Sequence, residues 1–468
     1  MNVASITTAP SAANGSSRLY ARLWRWHFFA AFIVIPFVLW QSVTGTLYLW
    51  SERLIDAMHP ELRFVEPLAE RRLPSEQISA ALAAAALPTR EGHEGHEGSA
   101  GSAEPTAGHH LHHTAGPAPS APGVVEILIP ADAARSTTVL MRGANGLPYP
   151  VFVDPYTARV LGTLSTSAWL PGLTRGLHGG WPLGDPGSWL LELGAGWAMV
   201  MLATGLYLWW PRDRGFLAAL WPRLNRGWRT LIRDLHSCVA VWFSIVLAFF
   251  LVSAMPWTAF WGGQLLERVQ QATGQVSPAG FSPGGASIEQ MTSALTSVDT
   301  LVATARERGV PGTLDVRLAP WPDAPLFVMN VHAAPSQDRT LVGDAASGAL
   351  RGDYGAGDLP AIPRFVALGV HVHQGDFGWP SLWLNTAFAA SLIWLAATGI
   401  ISWWTRRPAR KLGAPPKVVT RPPRFVLGIA VLLGVIYPLL GASMLLVLAA
   451  DVACGRLFGG AGAPGGPD

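Results

Sequence analysis

The sequence predicts a membrane protein: an all-α core of four spans from two duplicated halves, a fifth helix, and two small α+β domains outside the bilayer. Three observations predict it. Of 468 residues, 50% are hydrophobic and only 13% charged, with 21 Trp, which is too apolar for an ordinary soluble chain. Five runs, 28–50, 188–210, 238–261, 381–404 and 425–450, reach the roughly 20 apolar residues that cross a hydrocarbon core about 30 Å thick. The first four carry matching signatures at matching offsets, the mark of an internal repeat.

The second run ends ATGLYLWWPR, with Thr204, Gly205, Trp209 and Trp210; the fourth ends ATGIISWWTR, with Thr398, Gly399, Trp403 and Trp404. His27 precedes Thr44-Gly45 by 17 residues, and His236 precedes Ser253-Ala254 by the same 17. Between the two runs of each half lies a helix-like stretch, SEQISAALAAAAL or SIEQMTSALTSVDTLVATARERG, then alternating strand patterns such as VVEILIP or TLDVRLA. A β-rich run, an Asp turn and a return strand follow, at 151–164 and 340–353. The first domain carries an insert, 88–123, of Gly, Ala, Pro, Ser, Glu and His that is expected to be disordered. The predicted order is N-terminus 1–26, span 27–51, external domain 52–187, span 188–210, loop 211–235 and span 236–261. External domain 262–378, span 379–404, loop 405–424, fifth span 425–450 and tail 451–468 complete it.

Charge sets the orientation. Residues 1–26, 211–235 and 405–424 hold 16 of the 33 basic residues and 2 of the 30 acidic ones, a charge of +14 against −11 for the remainder. Basic flanks stay cytoplasmic, so the N-terminus is predicted inside and both α+β domains and the tail outside. The net +3 therefore implies no nucleic-acid partner. The first run is too long for a signal-peptide core and reads as a retained anchor. Only Cys238 and Cys454 occur, so neither a disulfide framework nor a cysteine metal site is expected. The C-terminal GGAGAPGG lacks the strand and helix of a dinucleotide fingerprint, and nucleophile-elbow, HExxH and P-loop patterns are missing.

Thirteen histidines are the most informative residues. His27 and His236 mark the cytoplasmic entries of the first and third spans; His178 and His373 precede the second and fourth at the outer face. One such ring alone reads equally well as an interfacial side chain. Four in duplicated positions point to function, because ionisable groups at membrane depth are costly. A two-fold repeat sets His27 against His236 and His178 against His373, the arrangement that clamps two b-type haems inside a four-helix bundle. Haem propionates want Arg, and Arg25, Arg233 and Arg175 lie two, three and three residues before His27, His236 and His178. Gly45, Ala254, Gly205 and Gly399 would admit the macrocycle to the backbone, or serve plain helix packing. His371 and His373 sit two apart and would face different ways on one helix, so both cannot ligate one iron from the same side. His373, with a glycine two residues on, matches His178; His371 is left as a supporting or acceptor-side residue, or as the alternative ligand if the helix is turned.

The RDLH entry, LHGG, HQGDFGWPSLW and the TG…WW exits resemble the PepSY-associated transmembrane (PepSY_TM) family over residues 20–410. The resemblance implies a bacterial inner (cytoplasmic) membrane protein whose external domains are PepSY-like. Family members include iron-regulated proteins and di-haem ferric-siderophore reductases. It thus implies electron transfer from a quinol or a separate flavoprotein to a periplasmic ferric siderophore or other metal ion. One departure is SAMPW at 253–257, where a TG pair is commoner.

His93, His96, His109, His110, His112 and His113 crowd the insert in EGHEGHEG and HHLHH. Imidazoles and carboxylates at this density bind divalent Zn, Cu, Ni or Co with little selectivity, unless the segment is a solvated linker. Three functions thus stand open: a di-haem oxidoreductase, a non-enzymatic metal-handling protein, and a PepSY-type interaction module.

Overall fold

A computed structural model of the chain describes residues 13–86, 122–180, 182–212, 214–279, 285–321, 324–331, 333–418 and 422–458. The first half runs α1 (Ala13–Met58), α2 (Pro60–Arg63), α3 (Pro74–Ala86), β1 (Gly123–Ile129), β2 (Thr137–Arg142), β3 (Pro148–Val153), β4 (Val160–Thr163), α4 (Leu170–Gly179), α5 (Gly184–Trp209) and α6 (Phe216–Ala219). The second half runs α7 (Trp228–Trp242), α8 (Ser244–Ser253), α9 (Glu267–Thr273), β5 (Ala286–Ser287), α10 (Ile288–Ser293), α11 (Leu295–Glu307), β6 (Thr313–Leu318), β7 (Pro325–Val331), β8 (Arg339–Asp344), β9 (Leu350–Gly355), α12 (Ala361–Gln374) and α13 (Trp379–Trp404). Two further helices follow, α14 (Arg424–Ile436) and α15 (Pro438–Phe458).

Three helices, over Ser17–Met58, Gly184–Trp209 and Trp379–Trp404, are long and apolar enough to cross a membrane. The third expected span is α7 followed by α8, bent by 54° at Phe243, so it qualifies only as a broken span. The chain forms two compact units, one of residues Met1–Leu39, Leu191–Leu251 and Ala390–Asp468, the other of Trp40–Leu190 and Val252–Ala389.

In the second unit the two expected α+β domains form one antiparallel sheet, ordered β4-β3-β2-β1-β6-β7-β8-β9 with β5 on β1. This corrects the expectation of two separate domains. The repeats join at β1 and β6, where Ile127, Leu128 and Ile129 oppose Val316, Asp315 and Leu314. Pairing there removes two edges that would otherwise expose unpaired N–H and C=O groups. Alternation decides the two faces. Ile127, Val139, Val151, Leu314, Val316, Leu326 and Val328 pack under Ile78 of α3 and Val298 and Leu301 of α11. On the other face Glu126, Arg142, Asp315 and Arg317 are buried, with Arg317 donating to both Asp315 (2.8 Å) and Glu126. A buried charge group of this kind needs its partners, since one left alone would be strongly destabilising.

Both predicted Asp turns form. Asp154 Oδ1 accepts from Tyr156 N at 2.8 Å, and Asp344 Oδ1 from Ser347 N at 2.9 Å. α10 is closed by a capping box between Ser287 and Gln290. Its counterpart in the first repeat uses the other half of the chain, with Ser75 N and Oγ donating to Asp299 of α11.

In the first unit the expected fifth span is two helices. A Cβ placed on Gly441 would lie 2.5 Å from the Gly434 carbonyl oxygen, whereas seven residues of unbroken helix advance about 10.5 Å. The chain therefore folds back at Tyr437-Pro438, where proline cannot continue the preceding helix. Lys417, before α14, pairs with Asp451 near the end of α15 at 2.9 Å, so the ends of this hairpin meet. Asp451 thus lies beside the basic loop 405–424.

Candidate functional site

In the first unit, α1 presents His27 to α5. His27 Nδ1 lies 3.1 Å from Thr204 Oγ1, and a Cβ on the next residue, Gly205, would come within 3.2 Å of His27 Cε1. α7 presents His236 to α13 in the same way: Nδ1 lies 2.9 Å from Thr398 Oγ1, beside Gly399.

In the second unit His178 is in the last turn of α4 and His373 in the last turn of α12. Each precedes its span in a separate short helix, ended two residues later by a glycine with positive φ: Gly180 at 110° and Gly375 at 76°. The glycine two residues past each histidine is therefore a helix stop that L side chains adopt poorly. His178 Nδ1 lies 3.0 Å from Thr44 Oγ1, and a Cβ on Gly45 would sit 3.0 Å from His178 Cε1. The rings of His178 and His373 are 6.1 Å apart at their centres, with planes at 68°. Two imidazoles on opposite sides of one metal, at metal–nitrogen bonds of about 2.0–2.1 Å, place their centres about 6 Å apart.

The threonines fix the chemistry of three of these rings. Each hydroxyl has one hydrogen, and in each case a carbonyl one turn back stands to receive it: Trp40 O at 2.7 Å from Thr44, Val200 O at 2.8 Å from Thr204, and Trp394 O at 2.8 Å from Thr398. With its hydrogen on that carbonyl the hydroxyl accepts from the histidine, an arrangement in which Nδ1 carries the proton. Nε2 keeps its lone pair, as a neutral imidazole ligand requires. Burial favours the neutral form in the second unit, pushing His178 down to about 4 and His373, with His178 beside it, down to about 3.

Sequence reasoning marked these threonines only as repeat landmarks and gave the glycines to the macrocycle or to helix packing. They seat histidines. The signal was present in the identical offsets of the TG pairs, but which histidine each pair meets depends on folding. In the fourth position Ser253-Ala254 does not repeat the pattern: Ser253 Cβ meets Gly369, one turn before His373 on α12, at 3.0 Å from a Cβ built there.

His371 behaves differently from its neighbour. Its Nε2 is 2.6 Å from Asp338 Oδ2 and its Nδ1 3.0 Å from Asp376 Oδ2. Burial alone would lower its pKa, but the two carboxylates override this and push it up to about 9. Asp338 also lines an open cleft of about 570 Å³ with Arg339, Asp353 and Asp358.

Of the three arginines expected near propionates, Arg25 donates to the Pro415 carbonyl and lies 4.7 Å over the Phe29 ring. Arg233 is exposed and 3.5 Å from Asp234, which Arg223 already grips at 2.7 and 2.9 Å. Arg175 is half-buried, 5.9 Å from the Tyr48 ring centre. His93, His96, His109, His110, His112 and His113 lie outside the described residues. Among the described residues no group of three or more His, Cys, Asp or Glu is placed to hold a metal ion.

The model of the PepSY-associated TM region matches residues 24–406. The chain belongs to this family. The match takes in all four histidines and all three Thr-Gly pairs, so the seats described above lie within the PepSY-associated TM region itself. With its apolar helices, this makes the chain a membrane protein. No curated protein matches the chain.

Proposed function

We propose that this PepSY-associated TM protein is a di-haem b oxidoreductase of the bacterial inner membrane, moving electrons to a periplasmic acceptor such as a ferric siderophore or other metal ion. The observation that carries the reading is the Thr hydroxyl on Nδ1 of His178, His27 and His236, which, donating to its own helix carbonyl, would leave Nε2 of three half-buried imidazoles a ligand lone pair. The 6.1 Å separation of His178 and His373 would let the two rings hold one haem iron together. His27 with His236 would hold one haem, and His178 with His373 the other. When bound, haem b supplies one-electron exchange at its iron. The threonines would bias the ring tautomers, and Arg175, Arg25 and Arg233 would offer cations for propionates. With no dinucleotide fingerprint in the chain, the donor is a quinol or a separate flavoprotein. The basic segments support a cytoplasmic N-terminus. The metal-handling alternative would use the insert histidines together with the span-entry histidines.

The visible spectrum of the detergent-purified protein tests this. A Soret band, a sharp α-band on dithionite reduction and two haems per chain are expected, with His27→Ala and His373→Ala each removing about one. A colourless preparation from haem-replete cells would overturn the assignment.

A further inference from the structure

We propose that His371 is a positioning residue for His373: a clamp that holds the last turn of α12 between Asp338 and Asp376 and so sets the orientation of the His373 ring. The proposal rests on the haem reading above. It starts from an asymmetry among the four seats. Three histidines are held by a Thr-Gly pair, and the corresponding Ser253-Ala254 meets α12 at Gly369, a turn away from the ligand. At His373 a further set of contacts bears on the turn that carries the ring.

Those contacts converge on residues 371–376. His371 reaches Asp338 at 2.6 Å with Nε2 and Asp376 at 3.0 Å with Nδ1. Carboxylates only accept, so both ring nitrogens donate, and no lone pair is left for iron. This removes His371 as the alternative ligand. Charge-assisted bonds of this kind are shorter and stronger than neutral ones. The main chain closes the same turn, with Asp376 N donating to His371 O at 3.0 Å. From α13, Asn385 Nδ2 donates to Val372 O at 2.7 Å and His373 O at 3.2 Å. Asp338 immediately precedes β8 and forms part of the cleft wall, so the clamp ties the sheet and the cleft to the ligand helix. Outer hydrogen bonds of this type tune ligand orientation and redox potential.

The test uses the full-length, haem-loaded protein in detergent, with His371→Gln and Asp338→Asn compared by potentiometric titration and low-temperature EPR. Two haems per chain are expected to remain in both variants, with one midpoint potential and one low-spin signal shifted and the other haem unmoved. If His371→Gln folds poorly, Asp338→Asn, altered at the more exposed end of the clamp, still reports. Unchanged potentials and signals for both haems, in a wild type that shows both bands, would overturn the clamp alone. Loss of a haem in His371→Gln together with retention of both in His373→Ala would make His371 the ligand and overturn it too. A haem-free wild type would remove the underlying reading and the clamp with it.

Discussion

Replacing Thr204 by Val keeps the shape of the side chain and deletes the one atom that dictates the His27 tautomer. The Thr204 hydroxyl lies 2.8 Å from Val200 O and 3.1 Å from His27 Nδ1, and with its hydrogen on the carbonyl it accepts from the ring. In the variant the His27 ring keeps the Met201 carbonyl as a partner but loses the hydroxyl, and losing one such hydrogen bond costs about 0.5–1.5 kcal/mol. The ring recovers part of this by moving its proton to Nε2, which abolishes its use as a ligand. Loss of such outer partners typically weakens metal binding 10–100-fold, equivalent to about 1.4–2.7 kcal/mol. The assay is haem transfer from the purified protein to excess apomyoglobin, followed at the Soret band. One of the two haems should leave roughly 10–100 times faster than in the wild type, and Thr204→Ser, which restores the hydroxyl, should leave near the wild-type rate. Two kinetically unchanged haems in Thr204→Val would refute the tautomer argument.

Gly45→Ala and Gly399→Ala should differ, because the added Cβ meets His178 Cε1 at 3.0 Å in the first and His236 Cε1 at 3.7 Å in the second. Haem content per chain should fall by about one in Gly45→Ala and hold in Gly399→Ala, and equal losses would show that the glycines serve helix packing. Asp353, bonded to Arg339 at 2.7 Å and Arg308 at 2.6 Å, is held below the ordinary carboxylate range by Arg339 first and, against some burial, by Arg308. Its folded pKa is depressed, so its contribution is present above the unfolded value of about 3.9 and is lost as pH falls through the folded one. Asp353→Asn should therefore melt below the wild type at pH 7 and together with it in strong acid; coincident melting curves at pH 7 would contradict this. Deleting residues 88–123 should abolish divalent-metal binding in calorimetry while leaving the haem spectrum intact, and retained binding would place the metal elsewhere.

The sequence by itself determined what is local. Apolar run length located three of the four repeated spans and, as a broken pair, the remaining one, period-two alternation located the strands, and Asp154 and Asp344 announced their turns, because each depends on neighbours a few residues apart. The repeat also preferred His373 to His371 through the glycine two residues on, now a helix stop at Gly375. Tertiary structure decided what is distant. Joining β1 to β6 links residues nearly 190 positions apart, and either strand alone would read the same as an edge or a centre. The fold-back at Tyr437-Pro438 was hidden because both arms are apolar, and hydropathy does not distinguish one long helix from two short ones. The pairing of Thr204 with His27, Thr398 with His236 and Thr44 with His178 spans 134–177 residues, so the offsets showed that the pairs matter without showing what they touch. His371 follows the same pattern: its two carboxylate partners, one of them 33 residues away, meet both ring nitrogens, and only folding brings Asp338 to it.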